Sequence, residues 1–218
     1  MEITVIIAMV KVLVSLHIVS GIGAVAGLIG ALASRKGGLW HRRMGRIYTV
    51  SMTCALLLAL IVTVLTANVF LGLIGLFSGY FVYTGWRLAV VKDGIRSQYD
   101  RLASLLMIAC AFAMLGYGVY QVLNGQSVGI ALAVFGVFAL IPAWQDYKRG
   151  DAWPKATDRI VLHLNRMGGA SIATLTAVFV VNVQTSPAFI AWLLPSVAGT
   201  PIIIYWTLRT LAPRESAS

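Results

Sequence analysis

The chain has 218 residues, of which 59% are hydrophobic and only 11% are charged. This composition excludes a soluble globular domain, in which charged residues are about twice as frequent. The net charge is +10, but the cations are distributed over several short segments between apolar runs rather than collected in one basic domain. We therefore expect a membrane protein with no nucleic-acid partner.

Seven apolar stretches are long enough to cross a bilayer, which takes about 20 helical residues. Each stretch must be helical, because lipid offers no hydrogen-bond partner to backbone N–H and C=O groups. The sequence predicts an all-α bundle that forms one integral-membrane domain over residues 1–218. In chain order, the predicted spans lie near 3–33, 47–67, 70–91, 102–123, 127–145, 160–183 and 187–209.

The first predicted span contains two polar side chains, Lys11 and His17, among many small residues. Its apolar run is too long for a signal peptide, but Lys11 divides it, so residues up to about 10 have the alternative of lying along the outer interface. The small face predicts close helix packing, and its alternative is a space for a flat ligand such as a haem or a quinone. On a helical wheel this face comprises His17, Ser20, Gly21, Ala24 and Ala31.

Spans two and six begin with related motifs, each a histidine followed by Arg-Met-Gly. On the corresponding helix faces, His41 aligns with Tyr48, and His163 aligns with Arg166. Because a helix N-terminus presents unpaired N–H groups, Arg43 and Arg166 indicate a site for a phosphate, a carboxylate or a haem propionate. The alternative is that these residues only mark the membrane interface, where such side chains accumulate. The motifs are His41-Arg42-Arg43-Met44-Gly45 and His163-Leu164-Asn165-Arg166-Met167-Gly168.

The cations predict the orientation of the chain in the membrane. All of the 17 Lys and Arg residues except Lys11 fall on one side of the predicted spans, whereas the opposite connections, near 68, 124–127 and 184–187, carry no charge. By the positive-inside rule, the N-terminus is outside and the C-terminus is cytoplasmic in a multi-pass plasma-membrane protein. The inner-side cations are Arg35, Lys36, Arg42, Arg43, Arg46, Arg87, Lys92, Arg96, Arg101, Lys148, Arg149, Lys155, Arg159, Arg166, Arg209 and Arg214.

The three histidines are not all expected at one depth. His17 precedes Arg35 by 18 residues, which is about 27 Å along a straight helix. Ligands of one metal ion must each come within about 2 Å of it, and His41 and His163 satisfy that condition more easily. These two are therefore the preferred metal ligands, and His17 is the less favoured one.

The chain resembles a family of bacterial predicted membrane proteins classed only as a domain of unknown function. The resemblance rests on His17 in the first span, on the run from Leu39 to Tyr48 that contains His-Arg-x-x-Gly-Arg-x-Tyr, and on His-x-x-Arg-Met-Gly-Gly from His163. Ser171 stands where the family usually has tyrosine. The resemblance implies a seven-helix fold in the bacterial inner membrane and points to the same three histidines, without implying an activity.

Several kinds of chemistry are excluded or restricted by the residues present. The chain has no Gly-Lys-Ser/Thr phosphate loop, no Gly-x-Ser-x-Gly elbow and no His-Glu-x-x-His motif. Three histidines are too few for two bis-histidine haems, but they suffice for one haem or for one three-histidine metal site with an open position for hydrolysis. Asp146 is the only acidic residue expected within a span, which disfavours carboxylate-driven ion coupling.

The sequence thus predicts a cytoplasm-facing pocket lined by His41, Tyr48, His163 and Arg166, with Arg43 nearby. Its first interpretation is redox chemistry with one b-type haem or metal ion, in which the histidines are axial ligands and the arginines neutralise propionates. The alternative is a small-solute transporter, with spans one to three and five to seven as parallel repeats. A metal-dependent hydrolase and a structural subunit of a membrane complex are further alternatives. The sequence predicts contact with the lipid bilayer. It does not identify the small-molecule ligand, and it leaves open whether the protein forms a homo-oligomer or joins a membrane complex.

Overall fold

A computed structural model of the protein describes residues 2–92 and 94–212. The predicted inner-side cation Arg214 lies outside these residues. Within them the chain forms seven α-helices and no strand, and all seven helices are long and apolar enough to cross a membrane. The predicted all-α membrane bundle is confirmed in this respect. The helices are α1 (Glu2–Ala33), α2 (Leu39–Leu65), α3 (Val69–Val90), α4 (Gln98–Leu123), α5 (Val128–Lys148), α6 (Ala156–Asn182) and α7 (Phe189–Leu211).

Three helices begin earlier than the apolar runs suggest. The expected starts at 47, 102 and 160 are replaced by Leu39, Gln98 and Ala156. Apolar length marks only the part of a helix that lies in hydrocarbon, whereas backbone hydrogen bonding continues into the polar interface. At α4 the start is fixed by a capping box between Ser97 and Asp100. The helix α1 is likewise continuous through Lys11, with no break that would turn its first residues along the interface.

The helices are arranged as two four-membered rings that share α3 and α6. In the first ring, α1 packs on α2, α2 on α3, α3 on α6 and α6 on α1. In the second, α3 packs on α5, α5 on α7 and α7 on α6, while α4 covers α3 and α5 from outside. Since α3 contacts four other helices, it is the centre of the bundle, and much of the buried core comes from its side chains.

Glycines bring α1 and α2 into close contact. A Cβ atom on Gly27 would lie 2.5 Å from the backbone nitrogen of Tyr48, and one on Gly30 would lie 2.7 Å from the Met44 side chain. At Gly27 and Gly30, α1 is therefore occupied by packing against α2, whereas a Cβ atom on Gly21, which belongs to the small face predicted with His17, would meet nothing within 4 Å. No space for a flat ligand lies between these two helices along the contact at Gly27 and Gly30.

The end of the bundle that carries the cations is closed by two connected loops. A bridge pairs Ile95 with Ala152, and the Arg96 N–H donates to the Asp151 carbonyl at 3.1 Å. The Arg101 side chain also forms an ion pair with Asp151. Because these bonds join the α3–α4 and α5–α6 connections, four helix ends are held together at one place.

The packing differs between the two halves that the repeat hypothesis would relate. The pair α1 and α2 forms an extensive contact, but its counterpart pair, α5 and α6, has no Cα atoms within 8 Å of each other in the described part of the chain. Parallel repeats are expected to share their internal packing. The arrangement of helices therefore gives the three-helix repeat no support.

Candidate functional site

All three histidines form the same type of hydrogen bond to a neighbouring helix. The Nδ1 atoms of His17, His41 and His163 lie 2.8, 3.0 and 2.9 Å from the carbonyl oxygens of Ala55, Ala31 and Gly85. A carbonyl can only accept a hydrogen bond, so each Nδ1 carries the proton and donates it. In the neutral ring, Nε2 then has a free lone pair directed away from the bonded helix, which is the state that binds a metal.

His17 and His41 form a reciprocal pair across the α1–α2 hairpin. His17 on α1 donates to Ala55 of α2, and His41 on α2 donates to Ala31 of α1. In an antiparallel pair of helices, residues at the same level have numbers with a constant sum. The numbers of each bonded pair add up to 72, so the two bonds belong to the same alignment of α1 with α2. The bonds are 14 residues apart on each helix, or about 21 Å. The structure thus separates His17 from His41 along the bundle, in agreement with the depth expected from the sequence.

His41 and His163 lie on opposite helices of the first ring, near the same end. The helices α2 and α6 run in the same direction, and the Tyr48 hydroxyl meets the Thr174 hydroxyl at 3.0 Å across the ring. If Tyr48 and Thr174 are taken to lie at the same level, His41 lies level with Met167. Met167 is four residues beyond His163, so the two histidines are offset along the bundle axis by about 6 Å.

The helices that carry these histidines lie diagonally in the first ring and are connected by side chains rather than by close backbone packing. In the described residues α2 and α6 have no Cα atoms within 8 Å of each other, although each packs on α1 and α3. Tyr48 is 1% exposed and spans the gap to Thr174. His41 and His163 are half-buried and stand nearer than Tyr48 to the cation-bearing end of this gap. The predicted residues His41, Tyr48 and His163 are thus brought to one ring.

Arg166 belongs to a different environment. Its Nη2 atom donates to Asp146 at 3.0 Å and to the Pro142 carbonyl at 3.2 Å, and its guanidinium lies over the Tyr80 ring. Only 5% of the Arg166 side chain is exposed. The arginine is therefore committed to a buried ion pair in the second ring, and it is not free to neutralise a ligand between His41 and His163.

Arg43 is exposed at the start of α2. Its guanidinium lies 5.9 Å from the centre of the Trp40 ring, and Trp40 itself is 62% exposed. A cation–π contact at an exposed site contributes about 0.5–1 kcal/mol, so Arg43 is easily redirected towards an anion. Arg43 thus lies at the same end of α2 as His41, and among the described residues it forms no hydrogen bond with Arg166.

Among the described residues, His41 and His163 are not joined by a third side chain of the kinds that bind metal ions. In residues 2–92 and 94–212 there is no group of three or more His, Cys, Asp or Glu side chains placed to hold a metal ion. A three-histidine zinc site for hydrolysis needs such a group. A haem needs only two axial nitrogens from the protein, because the macrocycle supplies the other four ligands.

Sequence reasoning missed the main polar network of the bundle. Asp146 accepts hydrogen bonds from Tyr80 and Arg166, and it also pairs with Arg149 at 3.2 Å. Asp100 binds Arg87 through two bonds of 2.8 Å each. One signal was present, since an acidic residue at the end of an apolar span requires a cationic partner. The sequence does not say which of the many arginines fills that role.

Comparisons with known proteins found no relative of this chain. No protein-family model matches the chain, and neither a curated protein nor a solved structure matches it. The class of protein that the fold supports is thus a multi-pass membrane protein of seven helices.

Proposed function

We propose that the protein binds one metal-containing cofactor between His41 and His163, in its most concrete form a single b-type haem, and that it serves redox chemistry in the membrane. The observation that carries this proposal is the shared state of the two rings. Each Nδ1–H is held by a helix carbonyl, which leaves each Nε2 as a ligand atom. Metal-binding histidines commonly show this arrangement, because the Nδ1 bond fixes the ring and its tautomer.

The position of the two rings is the second support. They lie on diagonal helices of one ring, about 6 Å apart along the axis by helix rise, and only side chains bridge the gap between those helices. When bound, a haem would supply one-electron transfer, with its potential set by the axial ligands and by the polarity around it. The protein's own task is to hold both imidazoles in place and to limit access of water.

The proposed roles of the two arginines now differ. Arg43 is exposed at the mouth and is the one proposed to neutralise an anionic group of the cofactor. Arg166 is proposed only to position α6, since its bond to Asp146 ties α6 to α5 next to His163. Tyr48 is proposed to close the deep side of the space, because it is buried and bridges α2 and α6.

The remaining proposals concern location. We propose a bacterial inner membrane with the N-terminus outside, which the distribution of cations supports. Membership in the family of unknown function that the motifs resemble is proposed on the same three histidines.

The experiment is an absorption spectrum of the purified protein in detergent, with and without added hemin, together with iron and zinc analysis. We expect a Soret band, which His41→Ala and His163→Ala each abolish. His17→Ala is a matched control, because it loses the same kind of interhelical hydrogen bond at another depth. Wild-type protein with neither a Soret band nor stoichiometric metal would refute the proposal, as would an equal loss in His17→Ala.

A further inference from the structure

A small cavity lies at the cation-bearing end of the second ring, apart from the histidines. It has a volume of about 20 Å³ and is open on one side. The ends of α3 and α5, the start of α4 and the α5–α6 connection all contribute to its wall. Its polar lining consists of Thr84, Arg87, Arg96, Asp100, Asp146 and Arg149.

The carboxylates of this cavity already accept several hydrogen bonds each. Asp100 accepts two bonds from Arg87, one from the Tyr83 hydroxyl and two from Ser97. Asp146 accepts from Tyr80, Arg149 and Arg166. Asp100 has no acceptor site left and Asp146 keeps only one, on Oδ1, whereas three guanidiniums line the cavity, so the cavity does not suit a metal ion.

The guanidinium groups, in contrast, exceed the carboxylates in number and keep unused donors. Arg87 uses Nε and Nη2 for Asp100, and Arg149 uses Nη1 for Asp146, while their other N–H groups have no partner among the described residues. These unused donors are not sealed in the interior, unlike the Nε atoms of Arg159 and Arg166. They therefore face the cavity or the solvent at its mouth.

Arg96 adds a buried positive charge. It is 7% exposed and, within the residues described, it binds only neutral oxygens, which are backbone carbonyls and the Ser104 hydroxyl. A buried charge normally needs an opposite charge nearby. The lining thus has three guanidiniums against two carboxylates, and Arg166 adds a further cation behind Asp146.

We propose that this cavity binds a phosphate group through the unused N–H groups of Arg87 and Arg149, with the buried charge of Arg96 adding to the attraction. A volume of about 20 Å³ admits one oxygen-sized group, so one phosphate oxygen enters and the others remain at the open mouth. Guanidiniums suit this ligand, because their planar N–H pairs match the oxygens of a phosphate. The cavity lies where helices end at the membrane interface, and there the phosphate comes from a lipid headgroup or from a soluble phosphate compound.

The test compares wild type, Arg149→Gln, Arg149→Lys and Arg101→Gln. Arg101 is the matched control, because it is an exposed cation at the same end that pairs with Asp151 and does not line the cavity. Retention of phosphatidylglycerol is measured by native mass spectrometry after mixing with vesicles of phosphatidylglycerol and phosphatidylcholine. Binding of inorganic phosphate is measured by titration calorimetry in detergent, and thermal unfolding reports whether each variant is folded.

We expect wild type and Arg101→Gln to bind alike and Arg149→Gln to bind about tenfold more weakly, since one charge-assisted contact is lost. Arg149→Lys keeps the positive charge beside Asp146 but loses the planar set of N–H donors of the guanidinium, so we expect phosphate binding of intermediate strength. Retained phosphatidylglycerol identifies a lipid source, and inorganic phosphate binding alone identifies a soluble one. Absence of both in wild type, or equal weakening in Arg101→Gln, would overturn the proposal and leave a cavity that holds only water.

Discussion

Asp146 is a single carboxylate on which three other side chains converge. It is 8% exposed, and its partner Arg166 is 4% exposed. Tyr80 of α3, Arg149 at the end of α5 and Arg166 of α6 all donate to it. Its own backbone carbonyl also accepts from Arg96. One residue therefore ties the shared helices of both rings to the loops that close the bundle.

Replacement of Asp146 by Asn should destabilise the protein strongly. The amide removes the negative charge and leaves Arg166 as a buried cation without compensation, a change that costs about 3–5 kcal/mol. The measurement is thermal unfolding in detergent. Asp158→Asn is the control, because Asp158 is an exposed carboxylate in the first turn of α6. Equal melting temperatures for the two variants would show that the ion pair contributes nothing to stability.

At the scale of helices, the contact between α1 and α2 depends on small residues at defined positions. Gly27 is buried and faces the α2 backbone, whereas a Cβ atom on Gly21 would meet nothing within 4 Å. These two glycines are on the same helix, so they have the same backbone propensity and differ only in what they touch.

Gly27→Ala should separate α1 from α2, since its Cβ atom would lie 2.5 Å from the Tyr48 nitrogen. Overpacking of this kind costs about 1–3 kcal/mol. Gly21→Ala should leave stability unchanged or raise it slightly, because alanine is the better helix former. Thermal unfolding of both variants in detergent checks this, and a Gly21→Ala protein that melts as low as Gly27→Ala would contradict it.

The helices could be predicted from the sequence because the bilayer imposes both their length and their conformation. The starts of α2, α4 and α6 could not be predicted in this way, because the spans were drawn from apolar runs and the residues that cap a helix or lie at the interface are polar. The reciprocal bonds of His17 and His41 and the pairing of Arg166 with Asp146 were also beyond reach. Each depends on which helix lies next to which, and apolar faces of similar shape do not specify that choice.

At the scale of the whole molecule, the described cations other than Lys11 lie at the same end as the small polar cavity, and the uncharged connections lie at the other end. This polarity predicts accessibility to a membrane-impermeant maleimide. In a background with Cys54→Ala and Cys110→Ala, Gln126→Cys should be labelled in intact cells, and Arg42→Cys only after the membrane is opened. Both positions are exposed. Labelling in the reverse order would show that the N-terminus is cytoplasmic.

The two hydrogen bonds that connect α1 and α2 also determine how this hairpin can move. One bond alone would allow α1 to pivot about it, but two bonds about 21 Å apart remove both sliding and pivoting. Apart from α2, the only helix that α1 contacts in the described chain is α6, and that contact involves few residues. We therefore expect α1 and α2 to move together, with α3 as the main neighbour of the pair. Any displacement of α1 by a neighbouring protein or by the bilayer would then move His41 with it and change its position relative to His163.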